Sequence, residues 1–364
     1  MASFMKQLSL VLSFIALALA GCAVYQNTQT AMKDQLKVTP TWLDNTLKST
    51  NLLSLGLGKP SGGKLGDEAC VFSAVKEVVV AAINAEARMG ASLIRLFFHD
   101  CFVDGCDAGL LLNDTATFTG EQTAAGNNNS VRGFAVIEQA KQNVKTQMPD
   151  MSVSCADILS IAARDSFEKF SGSTYTVTLG RKDARTANFT GANTQLVGPN
   201  ENLTSQLTKF AAKGFNGTEM VALLGSHTIG FARCPLLCIS TFINPARVST
   251  LNCNCSGTVN ATGLVGLDPT PTTWDQRYFS DVVNDQGLLF SDNELLKGNT
   301  TNAAVRRYRD AMGAFLTDFA AAMVKMSNLP PSPGVALEIR DVCSRVNANS
   351  VDPCEESRLL ASPD

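Results

Sequence analysis

The sequence predicts a mainly α-helical protein. Apolar residues recur at three- and four-residue spacing in six separate stretches, strict alternation is nearly absent, and no internal repeat or low-complexity linker breaks the pattern. After its N-terminal segment the chain therefore reads as one unit, long enough to bury a sizeable core. Phe72, Val75, Val79, Ala82 and Ile83 mark the first helix, and Phe134, Ile137, Ala140 and Val144 the second. Ile158, Leu159, Ala162 and Ala163 mark the third, and Leu203, Leu207, Phe210 and Ala211 the fourth. Glu219 to Leu224 makes a short helix that Gly225 stops. Ala311, Phe315, Phe319, Ala322, Met323 and Met326 form one long apolar stripe, closed by Pro330 and Pro331. Tyr175 to Leu179 alternates best and is the expected strand.

Of 364 residues, 45% are hydrophobic and 17% charged, which excludes a coiled coil, a collagen and a wholly disordered chain. The net charge of −3, with no long basic run, argues against a nucleic-acid partner. Eleven cysteines are more than a reducing compartment usually tolerates, and the two histidines, His99 and His227, limit where imidazole chemistry can reside.

Lys6, the apolar run Leu8 to Ala20 and the small residues Ala18, Ala20, Gly21 and Ala23 make residues 1–23 a signal peptide. The run is too short to span a bilayer comfortably. Leu19-Ala20-Gly21-Cys22 also fits a bacterial lipoprotein processing site, and export follows from either reading. Eight Asn-x-Ser/Thr sequons, at Asn113, Asn128, Asn188, Asn202, Asn216, Asn254, Asn260 and Asn299, agree with export. Residues 24–68 are a polar, weakly periodic extension, residues 69–346 the main domain and residues 347–364 a tail. With Cys22 set aside, ten cysteines suit five bridges whose connectivity spacing does not give.

The run Ala91 to Leu112 holds the first histidine. Arg95 and His99 are four apart, so on a helix they share one face and can act on one small molecule. Asp100, Asp104 and Asp107 follow, interleaved with Gly105, in a pattern that suits a hard, oxygen-seeking cation such as calcium. Cys101 and Cys106 flank that turn closely enough to bridge. His227 lies just past a helix end between two glycines, beside Thr228. Asp268 and Asp275, among hydroxyl-bearing turn residues, make a second plausible calcium site with Thr228. Asp292 sits in an apolar setting, where a carboxylate can orient a metal-bound imidazole from behind. A zinc hydrolase built on His99 lacks the further nitrogen ligands such sites need.

From Cys70 to Cys343 the motifs RLFFHDCFVDGCDA, GEQTAAGNNNSVRGF, VSCADIL, LGRKDAR, GSHTIG, GLLFSDNEL and IRDVCSRVN follow one another in an order that resembles the plant secretory (class III) haem peroxidases. The resemblance implies two helical halves with minor short strands, holding one b-type haem between them. It implies that His227 ligates the iron and that Asp292 accepts from its other ring nitrogen. His99 is then the distal base, with Arg95 as its partner and Asn127 as the amide that orients it. Asp100, Val103, Gly105 and Asp107 would bind a distal calcium, with Glu121 nearby through water. Thr228, Asp268, Thr270, Thr273 and Asp275 would bind a proximal one. The implied disulfides are Cys101–Cys106, Cys155–Cys343 and Cys234–Cys255; Cys238 and Cys253, in the same shortened loop, are candidates for an extra bridge, elimination alone leaves Cys70 for Cys354, and the pairing of these four stays open.

The implied activity is reduction of hydrogen peroxide to water with one-electron oxidation of small phenolic donors, such as lignin and other cell-wall phenolics, in peroxide removal and stress response. The implied protein is a secreted monomer without a membrane span, placed outside the cell or in its wall, with the vacuole as an alternative. Four positions depart from the family pattern. Gly109 stands where a serine usually ligates the distal calcium, which predicts weaker binding there. The LDPTPTTWD loop is one residue short, which loosens the assignment of Thr270 and Thr273. Val197 replaces the first proline of the turn that lines the donor entrance, leaving its carbonyl to contact a phenol. Met148 stands where a cysteine is usual.

Overall fold

A computed structural model describes residues 65–348 except 117, 240–242, 245–252, 254, 256–258 and 260–261. The signal peptide, nearly all of the N-terminal extension and most of the tail lie outside the described residues. The chain divides into two compact units, 1–74 and 75–364. Of the first, only the opening turns of helix α1 (Leu65–Ala85) are described.

The second unit is helical in two groups. One holds α2 (Arg88–Phe102), α3 (Phe134–Gln147) and α4 (Cys155–Ser171), with α4 packed on both α2 and α3. After β1 (Asp183–Ala184), α5 (Phe189–Thr194) and α6 (Leu203–Ala212) cross to the other group. That group is built on α7 (Gly217–Leu224), followed by β2 (Phe231–Arg233), α8 (Cys234–Leu237) and β3 (Leu264–Gly266). Next come α9 (Arg277–Val283), α10 (Phe290–Glu294), α11 (Asn299–Asp310), α12 (Met312–Ser327) and the short β4 (Leu337–Glu338). Helix α12 packs on α7 and also reaches α2, tying the two groups together.

The predicted periodic stretches are all helices, and local chemistry explains their ends. The Ser154 hydroxyl accepts from the Asp157 amide at the start of α4, and Gly172, at φ 70°, closes it. The Asp183 carboxylate accepts the amides of Cys155, Ala156 and Arg340, capping α4 with a charge that suits a helix N-terminus. Asn216 and Glu219 form a reciprocal capping box on α7. Helix α12 buries Phe315, Phe319, Ala322, Met323 and Met326, the face its spacing predicts. Phe315 stacks on Trp274 with ring centroids 5.6 Å apart and meets Phe279 edge-on at 4.8 Å. Phe315→Ala should destabilise the protein by about 3–5 kcal/mol, read from denaturant unfolding of the haem-loaded enzyme. A loss under about 1 kcal/mol would show that this cluster does not hold the half together.

One feature differs from the sequence expectation. Residues 175–179 alternate in burial, with Tyr175 and Val177 inside, but pair with no strand among the described residues. Ladders form instead between β1 and β4 and between β2 and β3, both antiparallel. Gly225 caps α7 after Leu224, as the sequence predicts, at an ordinary φ of −57°, and the chain runs on as a 3-10 turn, Gly225–Thr228. Glycine is required there by packing: a Cβ would lie 2.6 Å from the rings of both Phe279 and Phe315.

Disulfides Cys101–Cys106 and Cys155–Cys343 form as the resemblance implies. The pairing Cys234–Cys255, with Cys238–Cys253, is corrected to Cys234–Cys253 and Cys238–Cys255. Burial sorts them. Cys234 and Cys253 are both enclosed in a cluster with Leu237, Ile243, Leu288 and Leu289, whereas Cys238 is only half-buried and Cys255 is exposed. Cys70 is disulfide-bonded. Its expected partner, Cys354, lies outside the described residues.

Candidate active site

Helix α2 carries Arg95 and His99 one turn apart, on a scaffold of buried Leu93, Ile94, Leu96 and Phe97. The His99 Nδ1 lies 2.5 Å from Asn127 Oδ1. The amide's other end donates from Nδ2 to the Glu121 carbonyl at 2.8 Å, so Oδ1 is the acceptor facing the imidazole. That arrangement puts the ring proton on Nδ1 and leaves Nε2 as a base. Burial first, and the Arg95 charge second, hold His99 well below its usual 6.5, against the opposing pull of the Asn127 bond. Arg95 donates to the Gly126 carbonyl at 2.8 Å and to Ser130 Oγ at 3.2 Å, which fixes the guanidinium. Burial, and then Arg88, lower it to about 10, so it remains a cation at neutral pH.

His227 sits in the 3-10 turn after α7, held against α9. Its Nδ1 lies 2.9 Å from Asp292 Oδ1, an oxygen that also accepts from the Tyr278 hydroxyl at 3.0 Å. The second Asp292 oxygen accepts the Leu289 amide at 3.1 Å. The carboxylate is buried and fully engaged, and the imidazole keeps Nε2 as its open acceptor. Just beyond, Gly230 adopts φ +107°, and a Cβ there would meet the Ala91 Cβ of α2 at 3.2 Å. This close approach brings the His227 turn against the helix that bears His99.

The β2–β3 ribbon returns the chain from the disulfide-tied loop to His227. The Gly230 amide donates to the Pro271 carbonyl, and Leu267 to that of Gly230. Thr228, Asp268, Thr270 and Asp275 are thereby brought together. Thr228 Oγ1 lies 3.3 Å from Asp268 Oδ2 and 3.1 Å from the Asp275 carbonyl, while Thr270 Oγ1 donates to Asp275 Oδ2 at 2.9 Å. Burial first pushes Asp268 up to about 7; the Asp275 carboxylate pushes the same way, against the Thr270 amide. Thr273 is exposed and enters the cluster only through its amide on the Thr270 carbonyl.

On the other side, the Cys101–Cys106 disulfide closes a turn in which Asp104 and Gly105 have positive φ. Gly105 is obligatory there, because a Cβ would lie 2.0 Å from the Pro330 carbonyl oxygen. Val103 is buried in the same turn. The Asp100 carboxylate accepts from the Ala108 and Leu110 amides, and Asp107 from that of Gly109. Burial raises Asp100, Asp107 and Glu121 above the usual carboxylate range. Among the described residues no three histidine, cysteine or carboxylate side chains gather around one ion. A cation at either place therefore needs hydroxyl or carbonyl oxygens in addition to carboxylates.

Val197 is half-buried in the loop between α5 and α6. That loop bridges the two clusters. The Pro199 carbonyl accepts the Ser291 amide, next to Asp292, and Leu196 packs 3.7 Å from the Cβ position of Gly126, which holds Arg95.

Sequence reasoning missed Arg88, Arg233 and Tyr278. Arg88 is lowered by burial and by the charges of Arg132 and Arg233, so these cations crowd one another. The Arg233 Nε is buried without a partner. Arg88 is foreshadowed by its seven-residue spacing from Arg95 along α2, but Arg233 has no sequence signal. An open imidazole nitrogen braced from behind, and crowded arginines with an unsatisfied donor, fit an iron macrocycle that carries carboxylates.

Comparison with known proteins agrees. The peroxidase family model matches residues 75–311. The neutral peroxidase of Ipomoea batatas is 66% identical over 349 residues, covering 95% of this chain and all of the relative. The suberization-associated anionic peroxidase of Solanum tuberosum is 54% identical over 358 residues, covering 95% and 98%. Peroxidase 4 of Vitis vinifera is 45% identical over 284 residues, covering 76% and 88%. The chain belongs to the plant class III peroxidases, and it is a haem enzyme that reduces hydrogen peroxide. The two longer matches leave too few residues outside them to exclude the extension at 24–68, so those relatives share at least part of it.

Proposed function

We propose that His99 is the proton carrier of the peroxide reaction, Arg95 its electrostatic partner and His227 the haem-iron ligand. The observation that carries this reading is the Asn127 bond to His99, which presents a neutral imidazole with a bare Nε2. When bound, haem supplies the iron redox chemistry that couples peroxide cleavage to one-electron oxidation of donors. His99 Nε2 takes the proton from the peroxide oxygen nearer the cofactor and returns it to the departing oxygen, which leaves as water. The Arg95 guanidinium stabilises the charge that develops on that oxygen. His227 holds the cofactor through Nε2, and Asp292 makes that nitrogen a stronger donor by accepting from Nδ1. Arg88 and Arg233 would hold the haem carboxylates, since Arg233 Nε is buried without a partner and the two cations crowd each other.

Calcium belongs at both oxygen clusters: at Asp100, Val103, Gly105 and Asp107 on one side, and at Thr228, Asp268, Thr270 and Asp275 on the other, with Thr273 contributing backbone. Phenolic donors enter beside the Val197 carbonyl. The Solanum tuberosum relative named for suberization supports a wall-phenolic donor. Export follows from the leader, and no described helix is long and apolar enough to cross a membrane. The test is a haem-loaded preparation assayed for a Soret band and peroxide-dependent oxidation of a panel of monolignols and simple phenols. A colourless, inert product would refute the reading.

The pH dependence has a definite sign. His99 binds its proton less readily folded than unfolded, so its contribution to stability is present above 6.5 and is lost as pH falls through the lowered value. The same protonation removes the base. The rate of the peroxide step should therefore stay flat down to pH 6.5 and fall only below it, as stopped-flow traces will show. An acid limb centred at 6.5 or higher would contradict the assignment.

A further inference from the structure

We infer that Tyr308 is an internal one-electron donor. With no phenol present it gives an electron, through Phe279 and Tyr278, to the peroxide-oxidised enzyme, and its phenolic proton to Asp318. The inference rests on the reading of His227 as the haem-iron ligand and adds a redox-active side chain outside that site.

The route is a row of buried rings on α9 and α11. His227 meets the Tyr278 ring edge-on with centroids 5.9 Å apart, Tyr278 meets Phe279 at 5.1 Å, and Phe279 meets Tyr308 at 5.4 Å. Electron tunnelling decays exponentially with distance, so packed rings carry an electron far better than gaps do. Phe279 is too hard to oxidise and serves only as the bridge between the two phenols.

Rings alone do not make a donor, because packed aromatics also build an ordinary core. A phenol gives up an electron readily only when its proton leaves too, since the cation otherwise left behind is costly in the interior. Tyr308 has the proton acceptor. Its hydroxyl donates to Asp318 Oδ2 at 2.8 Å, and Arg307 donates to the same oxygen at 2.6 Å. The Asp318 side chain is 27% exposed, so the proton it receives stays in touch with water. Burial first, and then the bond to Asp318, hold Tyr308 above the ordinary phenol value, so the hydroxyl keeps its proton until the electron goes. The other candidates among the described residues lack this outlet. The Tyr175 hydroxyl and the Trp274 Nε1 are buried with no partner. The carboxylate facing Tyr278, Asp292, is buried and shared with His227. Charge can pass Tyr278, but it comes to rest at Tyr308.

Reducing peroxide to water takes two electrons, which phenolic donors restore singly. When donors are absent, the Tyr308 O–H bond breaks: one electron fills one of the two vacancies, the proton bonds to Asp318 Oδ2, and a phenoxyl radical stays on Tyr308. A donor arriving later returns the electron along the same row, and Asp318 returns the proton.

The test freezes the full haem-loaded protein directly after one equivalent of hydrogen peroxide, without donor, and records electron paramagnetic resonance. The unaltered protein should show an organic radical whose lines narrow when the protein is made with ring-deuterated tyrosine. Tyr308→Phe and Asp318→Asn should lose that signal and Tyr175→Phe should keep it, all three with normal haem content and peroxide rate. Tyr308→Phe should also bleach after fewer additions of peroxide. A tyrosine signal that survives in Tyr308→Phe, or vanishes in Tyr175→Phe, overturns the inference. If Tyr308→Phe does not fold, an undiminished signal in Asp318→Asn overturns it equally. Unaltered protein that binds haem and reduces peroxide normally but forms no tyrosine radical overturns the inference and leaves the functional reading standing. Normal haem in His227→Ala refutes that reading, and the route with it.

Discussion

His99→Ala should react with hydrogen peroxide about 10²–10⁴ times more slowly while keeping its full complement of haem. The expected loss is large because in the proposed role one atom, Nε2, performs both proton movements, and neither Arg95 nor Asn127 can substitute. Arg95 is a permanent cation, and Asn127 is an amide whose two ends are already committed to His99 and to the Glu121 carbonyl. Haem should stay because, in the proposed assignment, His227 and not His99 holds the iron. The measurement is the second-order rate of the peroxide-dependent spectral change, with haem content per chain determined on the same sample. A rate within tenfold of the unaltered enzyme would remove His99 from the role of proton carrier.

His227→Ala should fail in the opposite way, losing most of its haem or holding it with an altered Soret spectrum. His99 and His227 are the chain's two histidines, and the proposal commits His99 to the other side of the site, so it leaves no other imidazole to replace His227 as iron ligand. The vacated position also strips the Asp292 Oδ1 of one of its two donors, leaving only the Tyr278 hydroxyl on that oxygen. A buried carboxylate that loses a donor is destabilised by about 1–3 kcal/mol, so the apo-protein should also unfold more easily. Haem content by pyridine haemochrome and denaturant unfolding check both parts. Normal haem content with a normal spectrum would show that the iron is held elsewhere.

Much of this was legible in the sequence because its signals are periodic or local. The stripe from Phe315 to Met326 carries its own period, and helix α12 buries that face. Arg95 and His99 share a face because four residues is about one helical turn. What escaped depends on distant parts of the chain. The two cysteine pairs of the 234–255 loop differ in burial, not spacing, and only the fold shows that Cys234 and Cys253 are enclosed together. Residues 175–179 have the alternation of a strand but no strand to pair with among the described residues, so a local pattern promised a ladder that does not form there. Gly225 ends α7 as its local signal predicts, but its close contact with Phe279 and Phe315 from later helices shows only in the fold.

The division of labour between the two imidazoles is tested most directly by measuring haem content and the peroxide rate together in His99→Ala and His227→Ala. The account predicts that the first variant keeps haem and loses the rate, and that the second loses or misbinds haem before any rate can be read. If both variants lose the same property, or if His227→Ala keeps a normal pigment while His99→Ala does not, the roles assigned to the two residues are wrong.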